Sequence, residues 1–144
     1  MTEMTEKKPA YIKITVDTPL FIDFDFWKSK EENWRSILSG YLCEEHLAQF
    51  RDAGDGSELV DVVDSETGEV AQKDLLIDCL FSHCSKEPGF VPDNGPLTDS
   101  IFRLFLSRDN QPMSAAELGS LLNKNANTIL KTLTSRPYRG IRAA

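Results

Sequence analysis

The stretch Gln111–Ala144 most constrains the fold, because its pattern predicts two short helices joined by a tight polar turn. Ser114 precedes the first helix and Glu117 follows three residues later, which is the spacing of a capping box. Apolar residues then recur at helical spacing, at Leu118, Leu121 and Leu122. Asn123–Asn125 interrupts this pattern, and asparagine is common where a helix ends in a left-handed residue.

The second helix of this stretch is predicted at Ala126–Ser135, and its two faces differ. One face is apolar and carries Ala126, Ile129, Leu130 and Leu133. The opposite face is polar, mostly short-chained and positively charged, and carries Asn127, Thr128, Lys131, Thr132 and Ser135. Such a face is typical of a surface that reads base edges and phosphates.

The stretch resembles the helix-turn-helix superfamily in its winged form. The packing positions of the family are occupied by Leu118, Gly119, Leu122 and Ile129, with the small Gly119 where the two helices touch. Asn123 departs from the glycine that is usual in the turn, and Lys124 and Thr132 stand where apolar residues are usual. The resemblance implies a winged-helix fold, which binds DNA in some proteins and other proteins in others.

The resemblance also implies that the second helix enters the major groove of double-stranded DNA. Asn127, Thr128 and Lys131 are then expected near base edges, and the basic residues around the helix near phosphates. The predicted nucleic-acid-binding residues are Lys124, Asn125, Asn127, Thr128, Lys131, Thr132, Arg136, Arg139 and Arg142. The segment Arg136–Arg142 is too short for a two-stranded wing, and we expect it to supply one strand or a basic tail.

The charge of the chain is unevenly distributed. From Leu97 onward the chain has seven Lys and Arg residues and three acidic residues, which gives this part a net charge of +4. The preceding part has nine basic and twenty acidic residues and a net charge of −11. A basic C-terminal segment on an acidic body fits a small nucleic-acid reader. The net charge of −7 opposes approach to DNA, and charge asymmetry can also serve solubility alone.

Every thiol and imidazole of the chain falls in one of two short windows, Cys43–His46 and Cys79–Cys84. Zn²⁺ favours four such ligands, supplied as two close pairs from two elements. The predicted ligands of a structural zinc ion are Cys43, His46, His83 and Cys84. Two alternatives remain open: Cys79 and His83, one helical turn apart, could ligate together, or the cluster could consist only of packed side chains.

Composition divides the chain into four parts. Residues 1–10 are predicted to be a disordered lead, 11–86 an N-terminal α+β domain, 87–96 a linker, and 97–144 the winged-helix-like domain. The linker holds three prolines and two glycines. The predicted fold class is therefore α+β, with a small N-terminal α/β-hairpin domain, stabilised by zinc, before a helical C-terminal unit.

Periodicity predicts the elements of the N-terminal part. Strands are expected at Ile12–Val16 and Ile22–Phe26, a hairpin at Leu59–Val63 with Glu69–Val70, and helices at Glu31–Leu42, Glu44–Arg51 and Lys73–Ser85. Asp52–Gly56 is predicted to be a loop, and Thr98 is expected to cap the next helix. Asp23 and Asp25 could hold Mg²⁺, but they are better explained as the solvent-facing side of the second strand.

Several classes of function are disfavoured. No apolar run is long enough for a membrane span, and the first ten residues lack the apolar segment of a signal peptide. Three cysteines fit a reducing compartment, so we expect a cytoplasmic protein. No phosphate-binding loop, nucleophile elbow or H-E-x-x-H motif occurs, so we expect no enzyme.

The preferred hypothesis is a small DNA-binding regulator. Its acidic N-terminal domain would form a homodimer, sense a signal or contact a protein partner. The alternative is a non-enzymatic protein-interaction adaptor whose winged helix does not bind DNA.

Overall fold

The computed structural model describes residues 13–52, 59–136 and 138–144. Its helices are α1 (Phe24–Lys30), α2 (Trp34–Ser39), α3 (Glu44–Asp52), α4 (Leu75–Ser82), α5 (Leu97–Ser107), α6 (Ala115–Leu122) and α7 (Ala126–Ser135). Its strands are β1 (Leu20–Ile22), β2 (Leu59–Val63), β3 (Val70–Asp74) and β4 (Ile141–Ala143), and a 3-10 turn spans Cys84–Lys86. The predicted mixture of helices with short antiparallel strands is confirmed. None of the described helices is long and apolar enough to cross a membrane.

The strands β1 and β4 join distant parts of the chain in one antiparallel sheet, with Leu20 opposite Ala143. The other edge of β1 is paired as well. Leu20 exchanges two backbone hydrogen bonds of 2.9 Å with Met113. The side-chain amide of Asn110 accepts from the N–H of Ile22 at 2.9 Å and donates to its carbonyl at 2.8 Å. This short strand is therefore held from both sides.

The strand predicted at Ile22–Phe26 is wrong for most of its length, because Asp23 caps a helix there. The carboxylate of Asp23 accepts a hydrogen bond from the backbone N–H of Phe26 at 3.1 Å, and α1 begins directly after it. Helix α1 buries Trp27, and Asp25 lies in its first turn rather than on a strand. A side chain that satisfies an orphan donor outweighs a short alternating pattern.

Two other predicted elements differ in the structure. Ile12 lies outside the described residues, and the remainder of the strand predicted at Ile12–Val16 is irregular chain that enters a turn. The helix predicted at Glu31–Leu42 is shorter, because Gly40 takes the C-cap position of α2. The loop predicted at Asp52–Gly56 falls almost entirely outside the described residues.

The predicted hairpin and the helix at Glu44–Arg51 are confirmed. The second hairpin strand is longer than expected and runs to Asp74, whose carboxylate caps α4 by accepting from the N–H of Leu76 at 3.0 Å. Helix α5 begins one residue before Thr98, so the predicted cap is wrong. The helical bonding already starts at the carbonyl of Pro96.

Helix α5 lies at the centre of the core and contacts β1, α4 and α7. Its residues Ile101, Phe102, Phe105 and Leu106 are fully buried. Side chains from the whole described chain complete the same cluster, among them Leu20, Trp27, Leu38, Leu76, Leu80, Leu118, Ile129 and Ile141. Phe90, within the segment predicted as a linker, is buried in it too. The core therefore crosses the boundary predicted between the two domains.

The helix pair α6–α7 has the local geometry that its sequence predicts. The capping box is present, because Ser114 and Glu117 each accept a hydrogen bond from the backbone N–H of the other. Asn123 ends α6 in the left-handed region, at φ 57°. Gly119 lies against the start of α7, where an added Cβ would stand 2.6 Å from the carbonyl oxygen of Lys124. The turn therefore requires a residue without a side chain at this position.

We expect Gly119→Ala to lower the free energy of unfolding by about 1–3 kcal/mol, the usual range for overpacking. Urea denaturation measures this change. Gly40→Ala is the matched control, because Gly40 has φ −65° and its added Cβ would stand 3.2 Å from the carbonyl oxygen of Ile37. Equal losses in the two variants would contradict the close contact assigned to Gly119.

Candidate metal centre

The first pair of candidate ligands lies at the start of α3. Cys43 precedes the helix, and its carbonyl oxygen accepts the first helical hydrogen bond from Leu47 at 2.8 Å. His46 lies on the first turn, and residues three apart are neighbours on a helix surface. The Sγ of Cys43 is 3.2 Å from the Nδ1 of His46. The Cys-x-x-His spacing therefore forms one compact half of the group.

The second pair lies where α4 ends. His83 takes the C-cap position with φ −134° and ψ −64°, outside the helical region, and its N–H still donates to the carbonyl of Cys79 at 3.0 Å. The chain then enters the 3-10 turn at Cys84, which is buried. This change of backbone direction lets two consecutive residues face the same point.

The two pairs meet. The Sγ of Cys84 lies 3.6 Å from the Sγ of Cys43 and 3.3 Å from the Nδ1 of His46. The Nδ1 of His83 lies 3.7 Å from the Sγ of Cys43. All four ligand atoms fall within 4.8 Å of one another, so the group could hold a metal ion. The sulfur atoms are free thiols, well beyond the roughly 2.05 Å of a disulfide bond.

Cys79 lies outside this group of four. Its side chain is partly buried against the core, and burial raises the pKa of its thiol. This placement agrees with the prediction that Cys79 belongs to the core. The alternative in which Cys79 and His83 ligate together does not match the structure. The Nδ1 of His83 faces the Sγ of Cys43, and Cys79 is not part of the group.

Burial affects the protonation of the Cys84 thiol. Burial raises the pKa of the Cys84 thiol to about 11, so this side chain keeps its proton at neutral pH until a metal displaces it.

Glu87 lies beside the group and was not among the residues predicted from the sequence. Its Oε1 lies 3.8 Å from the Nε2 of His83, while the Nδ1 of the same ring faces Cys43. The separation between Oε1 and Nε2 is beyond hydrogen-bonding distance, and both side chains are about half exposed, so Glu87 is a neighbour of the ring rather than a fixed partner. The spacing of four residues between His83 and Glu87 was a signal available in the sequence.

Helix α7 exposes most of the residues that were predicted to contact nucleic acid. The exposed side chains are Lys124, Asn127, Thr128, Lys131 and Arg136. Asn125 is exposed as well, but it caps α7, because its Oδ1 accepts from the N–H groups of Asn127 and Thr128 at 2.8 and 3.2 Å. Thr132 is partly buried, and its hydroxyl donates to the carbonyl of Thr128 at 2.8 Å.

Arg139 and Arg142 both contact other side chains of the protein; Arg139 is partly buried, whereas Arg142 remains half exposed. The guanidinium of Arg139 is partly buried over aromatic rings, the nearest of which is Tyr138 at 4.9 Å. The guanidinium of Arg142 lies 4.5 Å from the centroid of Phe26, and its Nη1 is 3.7 Å from a carboxylate oxygen of Asp23. Both were predicted as phosphate contacts, and both have partners inside the fold. The end of this segment is strand β4 rather than a free tail.

Comparison with known proteins gives no match: no protein-family model, no curated protein and no solved structure is similar to this chain. The geometry of the Cys/His group and of the α7 face is therefore the basis for any functional assignment.

We expect the full-length protein to bind Co²⁺ in a tetrahedral site with intense visible absorption, because the group combines two thiols with two imidazoles. Cys43→Ser and Cys84→Ser should each remove most of that absorption. Cys79→Ser is the matched control and should leave the spectrum unchanged. A loss of similar size in Cys79→Ser would contradict the ligand set.

Proposed function

We propose that the protein is a small DNA-binding regulator. Helices α6 and α7 form a winged helix-turn-helix unit, and a structural zinc ion ties α3 to the end of α4. The observation that carries this proposal is the exposed polar and basic face of α7, on a helix whose position is fixed by Asn123 and Gly119. Short polar groups and cations on one exposed helix face suit contacts with base edges and phosphates.

The charge around α7 supports this role. No acidic residue follows Glu117 in the sequence, so α7 and the segments that flank it are free of carboxylate side chains. Lys124 and Arg136 are exposed and available for phosphates, and the exposed Asn127, Thr128 and Lys131 lie between them on the chain. Arg139 and Arg142 add to the local positive potential while keeping their partners in the fold.

The distances in the Cys/His group support zinc. With zinc–sulfur bonds of about 2.3 Å and zinc–nitrogen bonds of about 2.0–2.1 Å, a tetrahedron has edges of about 3.8 Å between sulfurs and about 3.6 Å between sulfur and nitrogen. Four of the six separations between the ligand atoms are 3.6 Å for the sulfurs and 3.2, 3.3 and 3.7 Å for sulfur to Nδ1, and all six lie within 4.8 Å. Four protein ligands leave no open position, so the ion would be structural rather than catalytic.

A protein-interaction adaptor is the second candidate. Two observations favour it: the chain carries a net charge of −7, and Arg139 and Arg142 are engaged inside the fold. The cationic side chains left on the α7 side are few, and overall acidity weakens non-specific attraction to DNA.

We expect the purified protein to contain about one equivalent of zinc, because the four ligands form one site. Removing it with a chelator should lower the thermal unfolding midpoint, since the ion links α3 to the core through Cys84. Elemental analysis and thermal unfolding with and without chelator measure both effects. Cys84→Ser should contain no zinc and should unfold at the same temperature with and without chelator. A metal-free wild-type protein with an unchanged midpoint would refute the zinc site.

We expect Lys131→Ala to weaken DNA binding roughly tenfold at low salt and to reduce the slope of log K against log salt by about one, since one cation is removed from the interface with DNA. Fluorescence anisotropy with pooled genomic duplex fragments measures both quantities. Lys28→Ala on α1 is the charge-matched control, because its ammonium lies over the ring of Trp34 at 4.6 Å, on another helix.

Two outcomes of this titration would decide against the DNA-binding role. Wild-type protein that binds no fragment at low salt would exclude it, and recovery of one stable protein partner by the same sample would favour the adaptor. Equal weakening by Lys28→Ala and Lys131→Ala would show a general charge effect rather than recognition through α7.

A further inference from the structure

A cleft of about 450 Å³ opens between α1, α2 and the turn before β4. It shares no lining residue with the Cys/His group or with the exposed face of α7. Its walls are largely aromatic and aliphatic, and three charged side chains complete them. The lining residues are Phe26, Trp27, Lys30, Glu31, Ile37, Tyr138, Arg139 and Gly140. This volume and this mixture of apolar walls with a few polar groups are typical of small-molecule sites.

Arg139 is the unusual residue of the cleft. Its guanidinium carbon lies 5.4, 5.5 and 4.9 Å from the ring centroids of Tyr41, Phe102 and Tyr138. Its Nη1 is buried and has no hydrogen-bond partner among the residues that the structure describes. Its nearest acid is Asp99, with Oδ1 at 3.8 Å from Nη1, which is beyond hydrogen-bonding distance.

Asp99 is shared between Arg139 and two other residues. The hydroxyl of Tyr41 donates to Oδ1 of Asp99 at 2.6 Å, and the Nε of Arg103 donates to Oδ2 at 2.7 Å. Burial lowers the pKa of Arg139, because removing the guanidinium from water destabilises its charged form. A partly buried cation that shares its nearest carboxylate with two other donors is a group that an additional anion would stabilise.

The backbone fixes Arg139 at the wall of the cleft. Arg139 has φ 46° and Gly140 has φ 80°. A Cβ added at Gly140 would stand 2.7 Å from the Cβ of Trp27 and 2.8 Å from the carbonyl oxygen of Asp23. The N–H of Asp23 donates to the carbonyl of Gly140 at 2.8 Å. The close approach and the hydrogen bond hold the turn against α1. A side-chain-bearing residue in the left-handed region is a feature that clusters at binding sites.

We propose that this cleft binds a small organic anion of the arylacetate class. Its ring packs against Phe26, Trp27 and Tyr138, and its carboxylate pairs with Arg139 at the wall and Lys30 at the rim. A planar guanidinium matches a carboxylate, and aromatic walls strengthen the pair by excluding water. Glu31 is the one acid among the described lining residues, and it accepts a hydrogen bond from the N–H of Asn33 at 3.4 Å.

A ligand series with one ring and three charge states tests this site in the full-length protein, whether or not it binds zinc or DNA. The probes are phenylacetate, its neutral amide phenylacetamide, and the cation phenethylamine. Backbone amide shifts in NMR titrations report binding. Phenylacetate should give saturable shifts at Lys30, Ile37 and Gly140, with phenylacetamide about tenfold weaker, as expected for loss of one charge-assisted pair. Phenethylamine should give none.

Variants of the cleft complete the test. Arg139→Gln should narrow the difference in affinity between phenylacetate and phenylacetamide, because only Lys30 is then left to pair with the carboxylate. Lys30→Ala changes an exposed residue and should weaken phenylacetate severalfold even if Arg139→Gln fails to fold, whereas Lys28→Ala on the same helix should not. Equal affinity of the wild-type protein for phenylacetate and phenylacetamide, shifts centred on α7, or no saturable shift at all would each overturn the proposal.

Discussion

The structure depends on how the short strand β1 satisfies its backbone. One edge pairs with β4, and the other is satisfied by Met113 and by the side-chain amide of Asn110. A backbone segment this short is stable in the interior only if its polar groups find partners. Pairing on both edges draws the first described segment into the C-terminal helices, so one core forms around α5.

That shared core places three distinct features around α5. The Cys/His group lies where α3 meets the end of α4, and its Cys84 is part of the core. The polar face of α7 lies opposite the buried residues Ile129 and Leu133. The aromatic cleft lies where the turn before β4 rests on α1. Because all three features are built on the core around α5, a change in core packing would alter the geometry of each of them.

The elements predicted correctly are those whose interactions are local in sequence. The capping box of Ser114 and Glu117, the left-handed Asn123 and the β2–β3 hairpin each involve residues a few positions apart. The strand predicted at Ile22–Phe26 was wrong because alternation over a few residues is a weak signal. The carboxylate of Asp23 caps a helix at this position instead. The β1–β4 pair was missed because no local pattern records its partner.

The sequence alone determined which residues could supply thiolate or imidazole ligands to a metal, because the three cysteines and two histidines lie in two short windows. It also determined the polar face of α7, because helical period places those residues together. Only the tertiary structure decided that Cys84 rather than Cys79 joins the group, since a break in helical direction at His83 separates them. It also decided that Arg139 lies among aromatic rings rather than on the α7 face. Such contacts join residues far apart in the chain, and their energy depends on packing that no short segment contains.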